Sequence, residues 1–295
     1  MQIVINKGAN MPANAARHYG IALAPSHILV DGKEYDAGSR ITHEQLDSWV
    51  KTARDFPYVV GTTAHEFVQV FTEAAKTENE ILVVTASKKL IQTYQAATAA
   101  ARTMKERSAY ASIKISIVDS GVMDLPASLL TMVAGEARLA GLPLRTTAGI
   151  LETLATRTAF CGYVDTLDNL VRGGRAGFLR AWIADFLDIK PILGIHDGEL
   201  RSTGKIRGSG DFVRAMTEQL ATAGERRRVW ACIAHGSALD RAEELADSIR
   251  RTFDVAYLLV MEQNPSVYLH AGRGSVIASV FPIDDLSWEP PTPKL

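Results

Sequence analysis

Apolar residues follow two different patterns along the first half of the chain. Short apolar runs at residues 2–5, 81–84 and 113–118 are typical of strands buried on both faces. Helix-forming stretches at residues 90–107 and 125–140 follow the second and third runs. Strands that alternate with helices predict a parallel sheet whose two faces are covered.

The pattern changes in the second half of the chain. A strand is predicted at residues 160–164, and the run at residues 192–195 meets Asp197-Gly198, a strong signal for a β-hairpin. Further helices and strands follow, and hairpins mixed with helices predict an α+β domain with a mixed sheet. The predicted fold class is therefore α/β with two domains, residues 1–156 and 157–295.

The segment before the hairpin combines a glycine turn, an apolar stripe and basic residues. Gly173-Gly174 lets the backbone adopt left-handed conformations, and Arg175 follows with a forked hydrogen-bond donor. Apolar residues then recur at the spacing of a buried helix: Leu179, Trp182, Ile183, Phe186 and Leu187. With Lys205 and Arg207 on the returning arm, the segment is either a core helix surrounded by solvated basic residues or a basic binding surface.

Composition excludes several classes of protein. The chain has 295 residues, of which 47% are hydrophobic and 22% charged, and a formal net charge of −1 argues against nucleic acid as a main partner. Cys161 and Cys232 stand alone in apolar contexts, which indicates buried thiols in a reducing compartment. We find no signal peptide and no apolar segment near the ~20 residues of a membrane span, and we predict a cytoplasmic protein.

Polar residues cluster where the predicted strands end or helices begin. In an open parallel sheet, ligands lie outside the carboxyl ends of the strands. Helix N-termini offer free N–H donors, so hydroxyls beside them could complete a site for a carboxylate or phosphate. Each of these residues could equally be an ordinary helix cap. The candidates are Thr62, Thr63, Thr85, Ser87, Asp119 and Ser120.

A second candidate site surrounds His270. Gly272 and Gly274 would let the backbone approach a ligand closely, and His270 can donate a hydrogen bond to an anion, although a purely structural histidine is the simpler interpretation. The sequence contains no phosphate-binding loop, dinucleotide fingerprint, metal cluster or nucleophile elbow. We therefore predict no catalytic residue, no metal and no cofactor.

These motifs, taken in order, resemble the DegV family of bacterial fatty-acid-binding proteins, which includes the carrier subunit of fatty acid kinase. The resemblance implies a two-domain α/β fold that buries one acyl chain and holds its carboxylate in a cleft between the domains. It also implies that Thr62 and His270 contact the carboxylate, and that Arg175, Lys205 and Arg207 form a basic surface for a kinase partner and its phosphate. The segments that carry it are Val118-Asp119-Ser120, Gly173-Gly174-Arg175, Lys190-Pro191-Ile192-Leu193, Asp197-Gly198, Lys205-x-Arg207 and His270-x-Gly272-x-Gly274.

The chain departs from the family pattern at the expected head-group site. The family segment Ser-Ser-x-Leu-Ser-Gly-Thr-Tyr corresponds to residues 87–94. Ile91 therefore stands where the family has a carboxylate-binding serine, and Gln92 where it has glycine. Asn6-Lys7 replaces an Asp-Ser pair, and Arg273 replaces a proline. We hypothesise that the Gln92 amide substitutes for the lost hydroxyl.

Three functions remain open at this point. The first is a carrier that binds a long-chain fatty acid or a similar amphiphilic carboxylate and presents it to a kinase subunit. The second is a phosphoryl-transfer or hydrolytic enzyme for a small anionic substrate, with Asp119 and His270 as acid and base. The third is a regulatory module that senses a lipid.

Overall fold

The computed structural model of the chain describes residues 1–38, 41–177, 189–208, 210–224 and 226–295. The strands in these residues form a four-stranded parallel sheet, a six-stranded mixed sheet and a three-stranded antiparallel sheet. The predicted α/β class, with a parallel sheet followed by a mixed one, is confirmed.

Strands and helices alternate through most of the chain. The strands are β1 (Gln2–Asn6), β2 (Ala22–Ala24), β3 (His27–Val30), β4 (Lys33–Asp36), β5 (Tyr58–Val60), β6 (Glu80–Thr85), β7 (Lys114–Asp119), β8 (Ala159–Tyr163), β9 (Ile189–His196), β10 (Glu199–Arg207), β11 (Arg228–His235), β12 (Asp254–Glu262) and β13 (Val276–Pro282). The helices are α1 (Ala13–His18), α2 (His43–Thr52), α3 (Ala64–Ala74), α4 (Thr93–Glu106), α5 (Asp124–Leu139), α6 (Leu144–Arg157), α7 (Asp168–Arg172), α8 (Phe212–Leu220), α9 (Leu239–Thr252) and α10 (Pro265–Ala271). The predicted buried helix from Leu179 to Leu187 lies outside the described residues.

The parallel sheet has the strand order β2-β1-β6-β7 and is covered on both faces. Successive side chains of a strand point to opposite faces. Accordingly, Ile3 and Ile5 belong to a core shared with α5, whereas Val4 belongs to a second core with Phe67 and Phe71 of α3. This arrangement explains why the strands are almost continuously apolar in sequence.

Helix α5 lies between the two larger sheets. All its residues from Asp124 to Ala137 are buried, and it contacts both β1 of the parallel sheet and β11 of the mixed sheet. Trp230 and Cys232 of β11 share its core. A helix that is mostly apolar all round its circumference is typically buried in a protein core. In α5 the burial includes the first turn, which begins at Asp124.

One glycine of α5 is required by a close approach. A Cβ added at Gly135 would lie 2.3 Å from the ring of Tyr19, whereas a Cβ added at Gly149 of α6 would meet nothing within 4 Å. We expect Gly135→Ala to lower the free energy of unfolding by about 1–3 kcal/mol because the core is overpacked. The control, Gly149→Ala, should raise it by about 0.5–1 kcal/mol because glycine disfavours helices. Urea unfolding of both variants checks this; equal stability of the two would contradict the packing seen at Tyr19.

The mixed sheet has the strand order β10-β9-β8-β13-β11-β12. Its predicted hairpin is confirmed, since β9 and β10 pair antiparallel around Asp197 (φ 51°) and Gly198 (φ 78°), the positive values that a type I′ turn requires. The centre of the sheet is β13, which is buried at every residue and pairs with β8 and β11. This strand is absent from the elements predicted above.

Two further elements are absent from those predicted above. Tyr58–Val60 form β5, which pairs with β3. No helix is predicted around His270, yet this residue lies in the last turn of α10. The helix has ordinary start signals: the Asn264 side chain caps it, and Pro265 occupies its first turn.

Candidate functional site

A cavity of about 420 Å³ lies where the parallel sheet, α10 and the mixed sheet meet. Its volume is within the range of about 300–1,000 Å³ that is usual for small-molecule sites. The cavity is lined by Asn6 at the end of β1 and Ala86 just after β6, as expected for ligand sites of parallel sheets. Most of its wall is apolar: Val59, Leu90, Ile91, Met123, Phe160, Val164, Leu170, Leu193, Leu200, Val267 and Ile277.

Helix α10 supplies one wall of the cavity. Ser266, Val267 and His270 line it, and because Ser266 and His270 are four residues apart they lie on the same face of the helix. The helix is held from behind by α2, where the His43 ring stacks on the Tyr268 ring at a centroid distance of 3.7 Å. His43 also contacts the Gln263 carbonyl just before α10. These contacts fix the helix that positions His270.

The His270 imidazole faces the glycine pair. Its Nδ1 atom has no hydrogen-bond partner among the described residues, and a Cβ added at Gly173 would lie 2.3 Å from it. Glycine is therefore required for this close approach. Burial, together with the nearby Arg175 guanidinium, lowers the pKa of His270 to about 4. The imidazole is consequently neutral at pH 7 and can donate one hydrogen bond.

Asp124 is a site residue that the sequence does not reveal. It opens α5 with a left-handed backbone (φ 53°), lines the cavity and is 1% exposed. Burial raises the pKa of this carboxyl to about 8, although hydrogen bonds from Asn264, Leu125 and Asn10 act in the opposite direction. Its Oδ2 atom has no partner among the described residues. Asp124 thus places a protonated carboxyl group in the cavity at neutral pH.

The hydroxyl groups predicted at the strand ends and helix starts do not converge on one anion site. Thr62 donates its hydroxyl to the Pro25 carbonyl, Thr63 forms a capping box with Glu66 at the start of α3, and Ser87 donates to the Gly198 carbonyl of the hairpin. None of the three predicted residues is among the described residues that line the cavity.

Asp119, at the end of β7, and Ser120, just after it, also form hydrogen bonds with nearby backbone groups. Asp119 accepts hydrogen bonds from the backbone N–H groups of Lys88 and Gly121, and Ser120 is bound to Val122. Neither residue is among the described cavity residues, so the structure does not bring Asp119 and His270 together as an acid–base pair.

Ile91 and Gln92, the two predicted head-group residues just before α4, lie in different surroundings. Ile91 lines the cavity and packs against Gly61, where an added Cβ would lie 3.0 Å from its Cδ1 atom. Gln92 is exposed and is not among the described cavity residues. The structure therefore does not bring the Gln92 amide to the place that the lost serine would take.

The glycines after His270 serve the chain rather than the cavity. Gly272 ends α10 with a φ of 75°. Gly274 also has a positive φ, and a Cβ added there would lie 2.2 Å from the Asp165 carboxylate. Arg241 joins Asp165 to the Gly274 carbonyl. Neither glycine is among the described residues that line the cavity.

Charged residues border the mouth of the cavity. Lys89 and Glu199 line its edge and form an ion pair at 3.1 Å between the start of α4 and the hairpin. Arg175 is exposed and also borders the cavity. Lys205 and Arg207 are exposed on β10, two residues apart and therefore on the same face of this edge strand.

The described ranges contain no group of three or more His, Cys, Asp or Glu side chains arranged to hold a metal ion. Nor do they contain a helix with the length and apolar character that crossing a bilayer requires. Cys161 and Cys232 are both buried and unpaired, and burial raises the pKa of each thiol.

Comparison with known proteins gives one consistent family. The model of the DegV family, described as uncharacterised proteins, matches residues 1–282. A DegV domain-containing protein of Streptomyces coelicolor is 28% identical over 278 residues, which cover 92% of this chain and 95% of the relative.

Among the solved structures with this fold are proteins that are described as binding, or as loaded with, a fatty acid. One is a DegV family protein of Thermus thermophilus whose description names fatty acid binding. It has a TM-score of 0.84 and 23% identity to this chain, over 95% of this chain and 99% of the other. A DegV family protein of Eubacterium eligens, loaded with heptadecanoic acid, has a TM-score of 0.82 and 20% identity, over 96% and 99% of the two chains.

Proposed function

This chain belongs to the DegV family, and from that premise and the cavity we propose that it binds one long-chain fatty acid or a similar amphiphilic carboxylate. The observation that carries the proposal is the cavity of about 420 Å³ with a mostly apolar wall. Each methylene group buried there contributes ~0.8 kcal/mol, so a long acyl chain is held chiefly by the removal of its apolar surface from water. The fatty acids described for the structural neighbours support the same ligand class.

In this proposal the carboxylate lies at the His270 end of the cavity. His270 offers one N–H donor, and the exposed Arg175 guanidinium at the mouth supplies a positive charge. Ile91 occupies the place of one expected donor, so the head group is held by fewer hydrogen bonds than the family pattern implies. Thr62 and Gln92 stay predictions as head-group contacts, since neither is among the described cavity residues.

The His270 resonances test both binding and head-group placement. In the free protein the pKa of His270 is lowered to about 4, whereas in the unfolded chain it is about 6.5. The unfolded state therefore binds more protons between these two values, and the native state loses stability as the pH falls from about 6.5 to about 4. A bound carboxylate favours the charged imidazole, and we expect saturation with hexadecanoate to raise the His270 pKa by about 1 or more. NMR titration against pH, with and without hexadecanoate, measures this.

Hexadecanol is the matched control, because it has the same chain without the carboxylate and should leave the His270 pKa where it is in the free protein. The exposed His196 on the hairpin is an internal control. Binding of hexadecanoate without a rise in the His270 pKa would overturn the head-group placement. Failure of hexadecanoate to bind at all would overturn the proposed function.

We further propose that the protein is a cytoplasmic carrier that presents its acid to a fatty acid kinase subunit, with residues 1–156 and 157–295 as its two domains. Arg175 borders the cavity mouth, and Lys205 and Arg207 share the exposed face of an edge strand. In this proposal the three exposed cations contact the phosphorylated head group and the acidic surface of the kinase subunit. Buried, unpaired thiols are compatible with a reducing compartment.

The partner surface is tested away from the cavity. We expect the double variant Lys205→Ala/Arg207→Ala to weaken association with the kinase subunit of the same organism about tenfold or more, because two contacts to a phosphate or acidic surface are lost. Fatty acid uptake should be retained, since neither side chain is among the described cavity residues. Arg250→Ala, an exposed arginine on α9, is the control. Unchanged association of the double variant would contradict the basic partner surface.

A further inference from the structure

The cavity wall contains a polar cluster that the proposed carboxylate site does not use. Besides His270 Nδ1, three buried atoms that lack a hydrogen-bond partner among the described residues belong to cavity-lining side chains: Asn6 Oδ1, Asp124 Oδ2 and Ser266 Oγ. The three residues are 3%, 1% and 8% exposed. An unsatisfied buried polar group destabilises the native state, so three in one cavity indicate a missing binding partner.

Asn6 and Ser266 approach each other beside a glycine, together with Ser26. A Cβ added at Gly8 would lie 3.0 Å from Asn6 Nδ2, 3.3 Å from Ser26 Oγ and 3.6 Å from Ser266 Oγ. Gly8 itself lines the cavity. The absence of a side chain at this residue therefore leaves a small space that is walled by polar atoms within an otherwise apolar cavity.

Asp124 is tied to the same end of α10. Its Oδ1 accepts a hydrogen bond from the backbone N–H of Asn264, and the Asn264 side chain accepts one from the Ser266 N–H. The second carboxyl oxygen of Asp124 has no partner among the described residues, and Asp124 is one of the residues that line the cavity. Because burial keeps this carboxyl protonated at neutral pH, it can donate a hydrogen bond there.

The chemistry of the cluster fits a neutral group better than a second anion. Ser266 and the protonated Asp124 can donate, while the Asn6 carbonyl accepts. The cations that border the cavity, Lys89 and Arg175, are at its mouth. A ligand hydroxyl both donates and accepts, so a single hydroxyl group can satisfy the acceptor and one of the donors.

The cluster also has a defined place relative to the carboxylate. Ser266 and His270 lie one turn apart on the same face of α10, which is about 6 Å along the helix axis. If the carboxylate lies at His270, the polar cluster is reached only a few carbon atoms farther along the chain.

We propose that Asn6, Asp124 and Ser266 form a second polar subsite that binds a hydroxyl group near the carboxyl end of the acyl chain, which makes a hydroxylated long-chain acid the preferred ligand. This inference rests on the proposed function, because it assumes an acid in the cavity. A site built to bind a hydroxyl discriminates against the analogue without it, since its polar groups then stay unpaired.

The test compares hexadecanoic acid with hexadecanoic acids that carry one hydroxyl at successive carbon atoms. Isothermal titration gives the ratio of their affinities for each protein. We expect the best hydroxylated acid to bind about tenfold more tightly than hexadecanoic acid to the wild type. The ratio should fall towards one in Ser266→Ala and in Asn6→Leu. Ser279→Ala is the matched control, since this buried serine of β13 is bound to the Ala159 carbonyl and should keep the wild-type ratio.

The outcomes separate the two proposals. Equal affinity for hexadecanoic acid and all its hydroxylated derivatives would overturn the subsite, because it shows that water alone satisfies the cluster, while fatty acid binding stands. A preference that persists in both cluster variants would also overturn it, since the hydroxyl is then recognised elsewhere. Failure of every acid to bind the wild type would overturn the subsite and the proposed function together.

Discussion

Replacing Asp124 with asparagine is expected to stabilise the protein at neutral pH by up to about 4 kcal/mol. The pKa of the Asp124 carboxyl is about 8 in the native protein and about 3.9 in the unfolded chain. Between these values the native state binds more protons, so its stability falls as the pH rises. At 1.36 kcal/mol for each pH unit, the difference accumulated by pH 7 is about 4 kcal/mol. Asparagine removes the titration and tolerates the left-handed backbone of this residue.

The pH dependence identifies the cause. The unfolding free energies of wild type and Asp124→Asn, measured with urea, should differ most at about pH 8 and above. Near pH 4 they should differ by less than about 1 kcal/mol, because the native carboxyl is protonated there and the unfolded one is about half protonated. Asp119→Asn is the control, because Asp119 lies near Lys88 and accepts backbone hydrogen bonds, so its replacement should not stabilise the protein. A destabilised Asp124→Asn at pH 7, or a difference independent of pH, would show that Asp124 is not a protonated group in the cavity.

Filling the cavity from its floor should abolish most fatty acid binding. Gly162 of β8 lines the cavity, and a Cβ added there would make ordinary contacts at 3.4 Å with Ile277 and 3.5 Å with Leu193. The backbone therefore accepts a side chain, and the remainder of a leucine extends into the space of the ligand. Displacing about three methylene groups, at ~0.8 kcal/mol each, should weaken binding about 50-fold.

The control for this variant is a second strand glycine. A Cβ added at Gly204 of β10 would lie 3.6 Å from Ile192, but Gly204 is not among the described cavity residues. We expect Gly204→Leu to bind hexadecanoate within about threefold of the wild type. Fluorescence titration of both variants decides the matter, with the melting temperature as a check on folding. Equal affinities of Gly162→Leu and the wild type would place the acyl chain outside this cavity.

The fold could be predicted where one pattern decided the structure. β1 and β6 contain apolar runs, the segment that contains β7 has isoleucines at alternate positions (Ile113, Ile115 and Ile117), and Asp197-Gly198 permits few alternatives to a hairpin. β13 could not be predicted in this way, because Ala278 and Ser279 interrupt its apolar run, and its burial comes from the strands on either side. α10 has a cap and an N-terminal proline, but its seven residues are too few for a clear helical period.

The candidate site was less predictable because its residues depend on tertiary contacts. Thr62 and Ser87 have the chemistry of an anion site, yet their hydroxyls bind the carbonyls of Pro25 and Gly198, which are far away in sequence. Asp124 looks like an ordinary acidic residue in a first helical turn. Its burial follows only from the position of α5 between two sheets. Ile91 was found because the family motif pointed to it, whereas His270 was already indicated by the glycines that follow it.

The most direct measurement of the central claim is native mass spectrometry of the protein purified from cells. We predict one long-chain carboxylic acid per chain in the wild type, released on denaturation and identified by its mass, and a much smaller bound fraction in Gly162→Leu. A wild-type protein that carries no acid and takes up none after incubation with hexadecanoate would contradict the account.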